Sequence, residues 1–195
     1  FCWATLIFTS GINIYILLAI FIAGASLLTY LIIYVPKFDY IQGRIFSFFN
    51  RETGTHNFQS DKAIESITSG GFFGKGIGEG VLKNRVPEAH TDYIISVISE
   101  EFGVVAIMLI LLLFLILIYM VFKKISFETN DKVKLILIGS ISLILMQATI
   151  HVGVNIRLFP TTGMTLPFLS YGGSSIISTS ILAGIILNLT KRKIT

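Results

Sequence analysis

Residues 102–122 read FGVVAIMLILLLFLILIYMVF, a stretch without one charged side chain. At about 1.5 Å per residue, a helix of this length covers roughly 30 Å, the hydrocarbon thickness of a bilayer. The core of a 195-residue soluble protein could not bury several such runs, and this one has company on both sides. Residues 12–35 form an earlier complete span, ended by Pro36. Residues 135–154 form the third, interrupted by Gln147 and His151, and residues 168–189 the fourth, stopped by Lys191, Arg192 and Lys193. Residues 1–10 are apolar but too short to cross. They read as the end of a helix truncated at its start, forming a hairpin with 12–35 across Gly11 and Asn13. Composition agrees: 53% of residues are hydrophobic and 13% charged, against about 25% charged in a soluble domain. The expected fold class is an all-α polytopic membrane protein.

Charge sets the expected orientation. The short loop 123–134 and the tail 190–195 share one side and hold Lys123, Lys124, Lys132, Lys134, Lys191, Arg192 and Lys193 against Glu128 and Asp131. The loops 36–101 and 155–167 share the other side, where acids and bases nearly balance. The positive-inside rule then puts the C-terminus in the cytoplasm and the long loop outside. The net charge of +4 is modest and lies mostly at span edges, so a nucleic-acid partner is not expected. The single Cys2 allows no intrachain disulfide, and there is no CxxC, HExxH or P-loop pattern.

Segment 36–101 carries seven of the fifteen basic residues and nine of the eleven acidic ones. A structureless loop of that length would be unusual. Asp61 to Ser69 reads as a short amphipathic helix, ended by Gly70 and Gly71. Tyr93 to Ser99 reads as another, capped by Thr91 or Asp92.

The densest chemistry is Pro87-Glu88-Ala89-His90-Thr91-Asp92, two carboxylates and an imidazole just before a helix that enters the membrane. Asp92 there could act as general base toward a hydroxyl at the bilayer surface, or Thr91 and Asp92 could simply cap the helix. Gly70 to Gly80 could bring backbone amides to an anion with Lys75 beside them, or form a turn. Gln59, Lys62 and Lys83 could touch a phosphate or line a solvated face. Arg157, at the outer interface, could pair with a lipid phosphate. Residues 158–175, broken by Pro160, Gly163, Pro167, Gly172 and Gly173, read as a cavity wall, since irregular backbone near membrane depth must be buried in protein or line a cavity.

Ser69-Gly70-Gly71 with Gly74-Lys75-Gly76-Ile77-Gly78, then Pro87 to Asp92, Ser99 to Gly103 and Leu166 to Ser175, in this order, resemble the SEDS family of bacterial wall synthesis, the FtsW, RodA and SpoVE proteins. PEAHTD with PTTGMTLPFLSYGG is more similar to the division branch, FtsW, than to RodA. The resemblance implies a bundle of about ten helices, of which this chain would be the end of the sixth through the tenth. It implies a peptidoglycan glycosyltransferase that polymerises lipid II at the outer face, with Asp92 as the catalytic residue. Glu88, His90, Thr91, Lys75, Lys83, Gln59, Arg157, Ser170, Gly172 and Gly173 are the candidate substrate contacts. Lys75, Lys83, Arg85 or a divalent cation, Mg or Mn, is expected at the diphosphate; no metal ligand is assigned. The implied partners are lipid II, an undecaprenyl-diphosphate-linked glycan, a class B penicillin-binding protein, other divisome proteins and membrane lipids. The implied place is the inner membrane at the septum. Many members carry Lys in the loop where this chain has Thr162, so that cationic role is not carried over.

Two rival readings remain open at this level. A lipid II flippase would place charge near the midplane of its spans, and the complete spans here hold no Asp, Glu, Lys or Arg. A divisome scaffold would be indifferent to Asp92→Asn.

Overall fold

The computed structural model describes residues 2–9, 11, 13–50, 55–86 and 88–191. Among them every regular element is helical. The helices are α1 (Cys2–Thr9), α2 (Ile14–Tyr34), α3 (Asp39–Asn50), α4 (Thr55–Gly70), α5 (Leu82–Arg85), α6 (Ile94–Phe127), α7 (Asp131–Asn155) and α8 (Gly173–Thr190), with a 3-10 turn at Pro36–Phe38. Four of them, α2, α6, α7 and α8, are long and apolar enough to cross a membrane.

Helix boundaries follow local chemistry rather than the ends of the apolar runs. Helix α7 begins at Asp131, because Asn130 caps it by accepting from the Lys132 amide. Helix α8 begins only at Gly173, after a turn in which the Ser170 amide donates to the Leu166 carbonyl and Phe168 sits at φ +68°. Helix α4 is longer than the pattern Asp61–Ser69 suggests, and α3 was not legible as a helix at all. The expected cap of α6 also differs: its N-cap is Tyr93, which supplies no side-chain bond. Pro87, the Lys83 side chain and residues 192–195 lie outside what the structure describes.

Helix α6 breaks at Gly103, where φ is +79° and ψ is −178°. Only glycine adopts that geometry readily, and a Cβ there would run into the Phe72 carbonyl. The break releases two amides from the helical ladder, and the glycine segment takes them up. Val104 N–H donates to Gly71 O at 3.0 Å and Val105 N–H to Phe72 O at 3.4 Å. The segment 94–102 is thereby set off from Val104–Phe127, which at about 36 Å still suffices to cross a bilayer.

Three clusters of buried apolar side chains run along the bundle. Val121, Leu137, Ile141, Ile144 and Ile186 join α6, α7 and α8 toward the end away from the long loop. Ile95, Ala148 and Leu166 join α6, α7 and the loop before α8. Ala63, Leu82, Val86, Ala89, Tyr93, Val97 and Val154 weld α4, α5 and the turn before α6 onto the end of α7. The long loop is therefore a folded cap on the bundle, held by side chains each contributing about 1.5–3 kcal/mol where fully buried from water. Helix α2, by contrast, has no buried residue; an apolar helix so exposed suits a lipid or protein environment rather than water.

Candidate functional site

The turn 88–93 is short and tightly bonded. Thr91 N–H and Asp92 N–H both donate to Glu88 O, at 3.2 and 3.0 Å. The Thr91 hydroxyl lies 3.1 Å from Glu88 O and 2.7 Å from a Glu88 carboxylate oxygen. Two further elements fix this turn. The loop before α8 reaches it through Ser170, whose hydroxyl donates to Thr91 O at 2.8 Å and accepts from Leu166 N–H at 2.7 Å. Tyr171 N–H donates to His90 O at 3.1 Å.

The second fixing element is Asn155, the last residue of α7 and fully buried. Its Nδ2 donates to Asp92 O at 3.0 Å and to His151 O at 2.9 Å. Its Oδ1 accepts from Ser96 N–H at 3.3 Å and from the Ser96 hydroxyl at 2.7 Å. Ser96 is the third residue of α6, so its amide is among those a helix start leaves unpaired. Asn155 thus caps α6 from another helix while holding the backbone of Asp92.

Asn155 is the top of a ladder. Gln147, His151 and Asn155 recur every fourth residue and so share one face of α7. Gln147 donates to the hydroxyls of Thr165 and Ser175, at 3.1 and 3.0 Å. His151 Nδ1 lies 2.7 Å from Met164 O; a carbonyl only accepts, so Nδ1 carries the proton. The ladder pins the loop 156–172 from below, and that loop brings Gly163 against Asp92. At φ +69°, a Cβ built on Gly163 would stand 3.5 Å from Asp92 Oδ2. The Asp92 carboxylate therefore sits where the two loops meet, part-exposed.

The other candidates divide. Glu88, His90, Thr91 and Ser170 gather with Asp92. Gly172 is the N-cap of α8 and Gly173 its first residue, on the same loop. Lys75 stands apart: its ammonium bonds Glu100 Oε1 at 3.1 Å, two turns beyond Asp92 along α6, where Leu82 N–H holds Glu100 Oε2 at 3.0 Å. The amides of Lys75 and Gly76 donate to Glu100 O and Glu101 O, so the glycine segment directs those two groups at α6. Gln59 is half-buried on α4. Arg157 pairs with Asp61 of α4 at a left-handed position, φ +61°, where Leu158 N–H closes the end of α7 on Gly153 O. Lys62 holds Glu65 on α4, and the Glu65 carboxyl lies below its ordinary range chiefly because of that bond.

Among the described residues no three His, Cys, Asp or Glu side chains converge on a metal position.

Gly163 reads from the sequence only as a break in the 158–175 wall, and Asn155 is not picked out from its own loop. Asn155 could have been, since it continues the spacing of Gln147 and His151.

Comparison with known proteins agrees with the motif order. The profile of the FtsW/RodA/SpoVE family, described as "Cell cycle protein", matches residues 1–194. A probable peptidoglycan glycosyltransferase FtsW of Enterococcus hirae is 39% identical over 138 residues, 70% of this chain and 35% of that protein. The protein of the same name from Caulobacter vibrioides is 38% identical over 158 residues, 80% and 40%. That from Trichlorobacter lovleyi is 34% identical over 189 residues, 95% and 49%. The chain thus spans between a third and a half of these relatives. A solved structure described as "Structural coordination of polymerization and crosslinking by a peptidoglycan synthase complex" contains a chain with TM-score 0.72 and 27% identity, covering 95% of this chain and 51% of that one. On the match along its whole length and on these relatives, the chain belongs to the FtsW/RodA/SpoVE family.

Proposed function

We propose that this chain carries the catalytic part of a peptidoglycan glycosyltransferase that polymerises lipid II at the outer face of the cytoplasmic membrane. The observation that supports this best is Asp92: a carboxylate where two interlocked loops meet, its backbone clamped by a buried Asn155. Positioned carboxylates of this kind serve proton transfer, where geometry comes first.

In the proposed reaction the 4-hydroxyl of lipid II's terminal GlcNAc attacks C1 of the growing glycan. Asp92 takes the hydroxyl proton as the new C–O bond forms, and the bond to the lipid diphosphate breaks on the opposite face. An α-linked donor then gives a β-linked product by one inverting displacement. The acyl chains stay in the bilayer. That suits a site at the end of the bundle, with an apolar groove of about 960 Å³ lined mainly by α1, α7 and the loop after α7, with Leu17 of α2 and Phe122 of α6. The proposed orientation keeps the C-terminus in the cytoplasm and the site at the septum, beside a class B penicillin-binding protein.

The test separates enzyme from flippase. Full-length protein in liposomes is supplied with lipid II in the outer leaflet only. Polymer with β-linkages, formed without movement of lipid II between leaflets, is the expected outcome. Lipid II transport with no polymer would reject the enzyme reading.

A further inference from the structure

Away from Asp92, a polar cavity opens between α4, the glycine segment, α5 and α6. It measures about 140 Å³ and is lined in part by Lys62, Ser66, Ser69, Lys75, Arg85 and Glu100. A water occupies about 30 Å³ of liquid, so the space suits a group of four or five heavy atoms. Its charged lining comprises Lys62, Lys75 and Arg85 against Glu65 and Glu100, one positive charge in excess.

Glu100 organises these cations. Its side chain is 3% exposed, and its two oxygens are divided between Lys75 Nζ and Leu82 N–H. The first contact fixes an ammonium at the wall, with two of its three N–H donors left over. The second fixes the start of α5, which carries Arg85 one turn later. Arg85 is exposed and forms no ion pair among the described residues. The cations converge closely enough that Arg85 and Lys75, after Lys62 itself, also help depress the Glu65 carboxyl.

Position narrows the ligand. The glycine segment that leads from α4 to this cavity is hydrogen-bonded to Val104 and Val105, where the apolar part of α6 begins. Phe72 and Phe73, at 75% and 85% exposure, flank that point, large apolar side chains that suit lipid better than water. The cavity therefore lies beside the start of the apolar span, as a site for a lipid headgroup requires.

We propose that this cavity binds the phosphoryl group of a membrane-embedded lipid. If the function proposed above holds, that lipid is a polyprenyl-diphosphate-linked sugar. Asp92 lies in the turn just before α6, and Glu100 stands about 9 Å of helical rise beyond Ile94, a separation on the scale of a disaccharide between the reacting hydroxyl and its diphosphate. A glycerophospholipid headgroup offers the same chemistry from another source.

The test is binding, so that it stands apart from turnover. Full-length protein carrying Asp92→Asn, in phosphatidylcholine nanodiscs, is titrated with lipid II with the cavity intact or changed by Lys62→Gln and Arg85→Gln. Both positions are at least partly solvent-exposed, and Arg85→Lys serves as the charge-preserving control. With the cavity intact, inorganic diphosphate should compete. The double change should weaken lipid II binding tenfold or more, as the loss of charge-assisted hydrogen bonds predicts, and Arg85→Lys should restore part of it. Phosphatidylglycerol displacing lipid II as well as diphosphate does would identify the phospholipid as the source and remove the substrate assignment. Unchanged affinity for both lipids and for diphosphate in the double variant would overturn the site, whether or not the wild-type protein makes polymer.

Discussion

Replacing Asn155 by Ala should disable the site without touching any group that meets substrate. The side chain makes four hydrogen bonds, to Asp92 O, His151 O, Ser96 N–H and the Ser96 hydroxyl. Three of these bonds are buried and the one to Asp92 O is part-buried. At about 1 kcal/mol per bond the loss is about 4 kcal/mol, and more if the abandoned groups find no water. The Asp92 carbonyl and the start of α6 lose their clamp together. The turn 88–93 keeps its bonds to Ser170 and Tyr171, so the protein should fold with Asp92 displaced. A shift of about 1 Å at a catalytic group can cost 10²-fold in rate. The assay is lipid II polymerisation by the full-length variant at matched folded yield, with kcat and KM separated. A fall in kcat near 10²-fold, KM within about threefold, and lowered thermal stability is expected. Asn155→Asp keeps an acceptor for Ser96 but loses both donors, and should fall with Ala. Wild-type kcat in either variant would refute the positioning argument.

Further expectations follow from single contacts. Gly103→Ala should lower the yield of folded protein, because φ is +79° and the new methyl meets the Phe72 carbonyl; retained thermal stability would show that the break in α6 is not required. Gly163→Ala should cost about 1–2 kcal/mol for the left-handed backbone, read as melting temperature, while its Cβ makes only an ordinary contact of 3.5 Å with Asp92 Oδ2. Arg157→Gly should leave stability within about 1 kcal/mol, since relief of its φ of +61° offsets the loss of a part-exposed pair with Asp61; a larger loss would give that pair a role beyond the surface. Glu100→Gln should destabilise by about 1–2 kcal/mol, since the buried carboxylate loses a charge-assisted bond while Lys75, 37% exposed, turns to solvent, read as a fall in melting temperature.

The spans could be read from the sequence because a twenty-residue apolar run has few other structural solutions. The cluster around Asp92 could be read because His, Asp and Glu crowd one turn next to a span. What was not legible depends on contacts distant in sequence. Asn155 looked like a loop residue because the apolar run stops at Val154, yet its amide closes contacts 59 and 63 residues away. The cap on α6 comes from α7, so no local cap pattern could reveal it. Lys75 looked like an anion ligand beside flexible glycines; its partner Glu100 lies 25 residues on, and the backbone there is used to meet the break in α6. Helix α3, DYIQGRIFSFFN, mixes aromatic and polar residues around a glycine, too little pattern for a helix outside its tertiary setting.

The central claim rests on one carboxylate. Full-length protein with its transpeptidase partner should be compared as wild type and Asp92→Asn, at equal folded yield, for lipid II polymerisation and lipid II binding. The account predicts loss of glycan product with binding retained. Undiminished polymer from Asp92→Asn would contradict it and remove Asp92 from the chemistry.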